Sequence, residues 1–139
     1  MSTNAPRLTF INLPVRDLSR SIAFFTQLGF AFDPRFTDET ATCMILSEQA
    51  YVMLLTMPKF AEFSHKDPVD SNKSTEVIVA MTAESRSGVD GFFDKVLAAG
   101  GTTATDTMDL GFMYSRSFYD LDGHHWEIFW MDPAAFQAA

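Results

Sequence analysis

One succession of patterns occurs twice along this chain, and few architectures accommodate such a repeat. An apolar run from Leu8 to Val15 leads into Leu18, Ile22, Phe25 and Leu28 at helical spacing, where Asp17 or Ser19 can cap the helix and Gly29 can end it. Three short apolar runs follow, at 30–36, 41–46 and 51–57, divided by polar turns such as Thr37-Asp38-Glu39. The order then restarts. A strand is expected over 76–81, and a helix follows it on Val89, Phe92, Phe93, Val96 and Leu97, closed by Gly100-Gly101. Strands are expected again at 102–105, 112–119 and 125–131, the last two joined around Asp120-Leu121-Asp122-Gly123, whose Asp-Gly pair suits a tight hairpin. The aromatic pairs Phe24-Phe25 and Phe92-Phe93 fall at matching places, so a duplicated β-α-β-β-β module is the natural explanation. The expected organisation is a single domain: module one at about 7–57, a connector at about 58–74, module two at about 75–131 and a tail over 132–139. The connector is polar, holds two prolines and shows no clear period, while the tail can add a helical turn.

At 139 residues there is room for one compact domain. Apolar residues make up 47% and charged residues 20%, enough burial to exclude global disorder. A net charge of −8 without a basic stripe argues against nucleic acid as a partner. A lone cysteine, Cys43, excludes an internal disulfide and a Cys-based zinc site, and it reads as a small buried hydrophobe suited to a reducing cytoplasm. The first residues lack the pattern of a signal peptide, and no apolar run approaches the ~20 residues that span a bilayer. No Gly-rich phosphate loop, Ser-His-Asp arrangement or CxxC pair is apparent.

Two stretches carry a family resemblance. The run Val15-Arg16-Asp17-Leu18-Ser19-Arg20-Ser21, with Phe24-Phe25 and Leu28-Gly29-Phe30, resembles the opening of the vicinal oxygen chelate superfamily, which includes glyoxalase I, bleomycin-resistance and fosfomycin-resistance proteins and extradiol dioxygenases. The run from Ser117 through Asp120-Leu121-Asp122-Gly123 to Glu127-Ile128-Phe129 resembles the same family's final hairpin. The resemblance implies an α+β fold of two βαβββ modules forming a cup-shaped, partly open β-barrel with helices outside. It also implies a small-molecule ligand in the cup, a homodimer, and metal ligands on the first and fourth strands of each module. Those positions fall on Phe10, Met53, Glu76 and Glu127. A phenyl ring cannot ligate and a thioether suits soft ions, so the set is incomplete for zinc, nickel, manganese or iron. The expectation is therefore either a divalent metal on Glu76 and Glu127 or none at all.

Strand alternation from these anchors lists the cup face as Phe10 and Asn12, Met53 and Leu55, Glu76 and Ile78, and Glu127 and Phe129. Two carboxylates among apolar walls are costly and repel each other. A cation, a shared proton, an arginine such as Arg116 or Arg35, or separation and water would each relieve them. A carboxylate kept near neutrality is also a competent general base beside a carbonyl. The leading reading is thus a glyoxalase-like lyase or isomerase with Glu127 and Glu76 as bases or metal ligands. The competing reading is a non-catalytic protein that sequesters an apolar or aromatic compound, favoured by Phe10 and Met53. A third is an assembly module whose cup is plugged by Phe10, Phe129 and Met53.

Other residues carry weaker signals. His125 shares the parity of Glu127 and falls at the rim, or is simply exposed beside its hairpin; His124 has the opposite parity, and His65 lies in the connector. Tyr114 and Arg116 on the neighbouring strand either meet a ligand carboxylate or carbonyl, or form a cross-strand pair.

Overall fold

The computed structural model describes residues 7–137. The chain divides into two compact units, one running to Pro68 and the other beginning at Val69.

The first unit contains β1 (Thr9–Val15), α1 (Leu18–Gln27), β2 (Ala31–Asp33), β3 (Ala41–Ile45), β4 (Ala50–Thr56) and α2 (Met57–Phe63). Its sheet has the order β1-β4-β3-β2, with β1 parallel to β4 and the other pairs antiparallel. Asp17 is the cap of α1: its carboxylate accepts the Arg20 backbone N–H at 3.1 Å. Gly29, at φ 101°, lets the chain leave the helix in a conformation that other residues resist. Leu18, Phe24 and Phe25 of α1 are buried, as are Leu13, Val15, Val52 and Leu54 at alternate strand positions. Those alternate positions define the helix-covered face of the sheet.

The second unit repeats the plan with β5 (Ile78–Thr82), α3 (Arg86–Ala98), β6 (Thr102–Thr103), β7 (Met108–Asp109), β8 (Met113–Tyr119), β9 (His125–Met131) and α4 (Pro133–Gln137). Here the order is β5-β9-β8-β6, β7 also pairs with β8, and β5 is parallel to β9. Helix α3 begins at Ser85, whose hydroxyl accepts the Gly88 N–H at 3.0 Å. It buries Val89, Phe93 and Val96, and Phe118, Trp126 and Ile128 are buried on the sheet strands it packs against. Each such aliphatic or aromatic side chain contributes about 1.5–3 kcal/mol when removed from water.

The α+β architecture is as the repeat implied: hydrogen bonding joins the strands into two separate sheets, with no closed barrel among the described residues. Four local readings change. Residues 34–36 form a 3-10 turn rather than strand, because Pro34 opens the turn and Asp33 accepts the Arg35 N–H. The connector starts as helix α2, since Pro58 in a first helical turn has no N–H to waste. Strand β5 starts at Ile78, leaving Glu76 and Val77 ahead of it, and a two-residue strand β7 appears where none was expected. No described helix is long and apolar enough to cross a membrane.

Candidate functional site

In each unit the sheet residues of opposite parity to the helix-covered set form a second face, and strand register decides which of them stand side by side. In unit one the central rung is Asn12, Met53 and Cys43, flanked by Phe10, Tyr51 and Ile45 on one side and Pro14, Leu55 and Ala41 on the other. In unit two the corresponding rung is Ala80, Glu127 and Ser117, flanked by Ile78, His125 and Tyr119 and by Thr82, Phe129 and Ser115. The alternation expected for Phe10, Asn12, Met53, Leu55, Ile78, Glu127 and Phe129 is therefore present, and His125 joins that face.

Register corrects the pairing. Ala80, not Glu76, lies beside Glu127, and in unit one Asn12 lies beside Met53. Glu76 is exposed and four residues ahead of Ala80, which is about 13 Å of extended chain. Glu127 is half-buried, and neither glutamate has a hydrogen-bond or ion-pair partner among the described residues. The structure thus does not bring the two acids together in unit two.

Tyr114 and Arg116 are corrected too. Both point to the helix-covered face. The Tyr114 hydroxyl donates to Asp90 of α3 at 2.7 Å, and Arg116 donates to the same oxygen at 3.1 Å while its guanidinium lies 3.9 Å above the Phe93 ring. Asp90 is held below the usual carboxylate range, first by the Tyr114 hydroxyl and then by Arg116, and the same bond raises Tyr114. These residues fasten α3 to β8. Counting parity from the buried Phe118 finds this arrangement, since Tyr114, Arg116 and Phe118 share one face.

The remaining candidates separate clearly. Phe10 is 48% exposed, and its ring stacks on Tyr51 with centroids 4.9 Å apart and planes 15° from parallel. Met53 is half-buried, Asn12 is exposed, and Leu55 is fully buried. His125 is half-buried edge-on to Tyr119, at 5.5 Å. His65 is exposed. Cys43 is buried, and that burial pushes its thiol up and away from nucleophilic use. The set of donors does not fit a divalent metal: no group of three or more His, Cys, Asp or Glu converges among the described residues, and the rung of Glu127 offers only alanine and serine.

Sequence reasoning passed over Asp120. This buried carboxylate sits at the β8–β9 turn and accepts the Trp126 indole N–H at 2.9 Å and the backbone N–H groups of Asp122 and His124 at 2.9 and 3.0 Å. Burial raises its pKa, against the opposing pull of His124 and these bonds. Its signal was visible as the first acid of the Asp-x-Asp-Gly hairpin.

Comparison with known proteins bears on the fold. Residues 7–47 match the family model described as bleomycin resistance protein-like N-terminal. A hypothetical protein from S. aureus is 27% identical, with 93% of this chain and 94% of that one covered at a TM-score of 0.74. A glyoxalase-related enzyme from Fulvimarina pelagi is 20% identical, covering 91% and 88%, at 0.75. The fosfomycin resistance protein FosX from Mesorhizobium loti is 14% identical over 99% of both chains, at 0.64. No curated protein matches the chain in sequence. In its duplicated fold and in the match of its first module, the chain is similar to the glyoxalase/bleomycin resistance/dioxygenase group of the vicinal oxygen chelate superfamily.

Proposed function

We propose that this chain binds a small molecule that carries a planar aromatic portion and does not transform it. The carrying observation is the Phe10–Tyr51 stack: a phenyl ring half open to water, already parallel to a second ring, on the strand where a metal-using member would place a ligand. A flat aromatic ligand laid on Phe10 covers exposed apolar surface and adds a stacked pair, which contributes about 0.5–1.5 kcal/mol beyond area burial. The thioether of Met53 stands two positions along the sheet face and adapts to irregular ligand shapes. A net charge of −8 favours a ligand bearing positive charge. The matching family model, which covers β1 to β3, takes its name from bleomycin resistance. The working form in this reading is a homodimer, which light scattering tests.

Calorimetry on the full chain with bleomycin, and separately with acridine orange as a planar cation, tests the proposal. Saturable binding that weakens about tenfold in Phe10→Ala, with no product by mass spectrometry, is the expected result. Equal affinity in Phe10→Ala, or metal-dependent turnover of the bound compound, overturns it.

Glu127 sustains a second reading, because a half-buried carboxylate without a partner among the described residues is available to take a proton from a carbon next to a carbonyl. In an isomerisation it would return that proton to the adjacent carbon. Turnover lost in Glu127→Gln with ligand affinity retained would select this reading.

A further inference from the structure

The second unit contains a polar cavity of about 240 Å³, which meets the Glu127 sheet face only at Tyr119 and shares no residue with the proposed aromatic site. The 71–75 segment forms one wall, and Thr102, Tyr119 and the 120–123 hairpin form the other. We infer that this cavity is a binding site for a small neutral polyhydroxylated molecule, of about the size of a monosaccharide or cyclic polyol.

Three observations lead there. The first is rigidity. The Ser71 hydroxyl donates to the Asp122 carbonyl, and Gly123 approaches the Ser71 backbone so closely that a Cβ there would stand 2.7 Å from the Ser71 carbonyl oxygen. On one wall, Asp70 accepts the backbone N–H groups of Asn72, Lys73 and Ser74. On the other, Asp120 secures the hairpin through Trp126 and two backbone N–H groups. Both walls are thus ordered before any ligand arrives, which lowers the entropic cost of binding.

The second is size. At about 30 Å³ per water the cavity is worth roughly eight waters, below the ~300 Å³ at which drug-sized pockets begin. The third is chemistry. Hydroxyls of Ser74, Thr75, Thr102 and Tyr119 both donate and accept, as ligand hydroxyls do. Asp120 shares the lining and adds a carboxylate acceptor. Among the described residues the lining carries one cation, Lys73, and one acid, Asp120, so neither sign of ligand charge is favoured. The neutral class is what this balance selects.

The test uses ¹⁵N-labelled full-length protein titrated with D-glucose, D-galactose and myo-inositol, and in parallel with glucose 6-phosphate and sulfate. The expected result is saturable shifts confined to residues 71–75, 102 and 119–124 with at least one neutral probe. Affinity for that probe should fall about threefold to tenfold in Thr102→Val and in Ser74→Ala, the loss of one hydrogen bond each. It should be unchanged in Phe10→Ala, which separates this site from the aromatic one. No saturable shift with any neutral probe overturns the inference, as does tighter binding of the phosphate or sulfate. Equal affinity in both hydroxyl variants, with their spectra otherwise native, overturns it too.

Discussion

Replacing Asp120 with alanine is the most informative perturbation of the second unit, because one carboxylate satisfies three donors around the β8–β9 turn. The Trp126 side chain is wholly buried, and its indole N–H loses its acceptor once the carboxylate is gone. Leaving such a donor unsatisfied costs about 1–3 kcal/mol. The two backbone N–H groups lie at a turn where water can partly replace the lost acceptor, so each costs nearer the ~0.5–1.5 kcal/mol of an ordinary bond. Against these, alanine removes a carboxyl whose burial raises its pKa and penalises its charge, a partial offset. The expected net loss is about 3 kcal/mol. At ~2–4 °C per kcal/mol for a chain of this size, Tm falls by roughly 6–12 °C. Urea unfolding followed by tryptophan fluorescence and by far-UV circular dichroism measures it, and Asp120→Asn, which keeps one carbonyl oxygen for the backbone pair, should recover about half. A loss below about 1 kcal/mol in the alanine variant, with the native fluorescence of Trp126 intact, refutes the claim that this carboxylate organises the hairpin.

Other outcomes follow from the same structure. The Arg86 guanidinium donates twice to Asp109, both at 2.8 Å, and holds its pKa at about 2. A depressed folded-state pKa gives stability that is present above the unfolded value near 4 and lost as pH falls through 2. The stability difference between the protein and Asp109→Asn should therefore be constant above about pH 4 and vanish towards pH 2; a difference that persists unchanged at the acid end refutes the pairing. Gly29 and Gly123 both have positive φ, 101° and 84°, but only Gly123 has backbone within 3 Å of an added Cβ. Gly29→Ala should cost about 1 kcal/mol and Gly123→Ala about 2–4, a contrast that parallel thermal melts detect. Cys43 should react with Ellman's reagent only as fast as the protein unfolds, and rapid labelling of the native state would show that burial does not protect it.

The candidate site was legible in part. Parity placed Phe10, Asn12, Met53, Leu55, Glu127 and Phe129 on one kind of face, because alternation is a local property of any strand. Pairing is not local. The family resemblance made Glu76 and Glu127 equivalent, yet β5 begins two residues later than its apolar run suggested, and a slip along a strand pair moves every partner. Tyr114 and Arg116 kept an ambiguous parity until Asp90 and Phe93 of α3 supplied their partners across 23–26 residues of chain.

By itself the amino-acid order determined the doubled plan: the helix stripes, Asp17 and Ser85 at the caps, Gly29 after the first helix and the apolar strands are all short-range preferences that each segment expresses alone. Only the tertiary structure decided that Ala80 neighbours Glu127, that Phe10 lies flat on Tyr51 beside open solvent, and that Asp120 is buried at the foot of Trp126. The reason is that these depend on register and on which face is covered. Both are fixed by contacts between residues far apart in the chain, whose energies no local pattern contains.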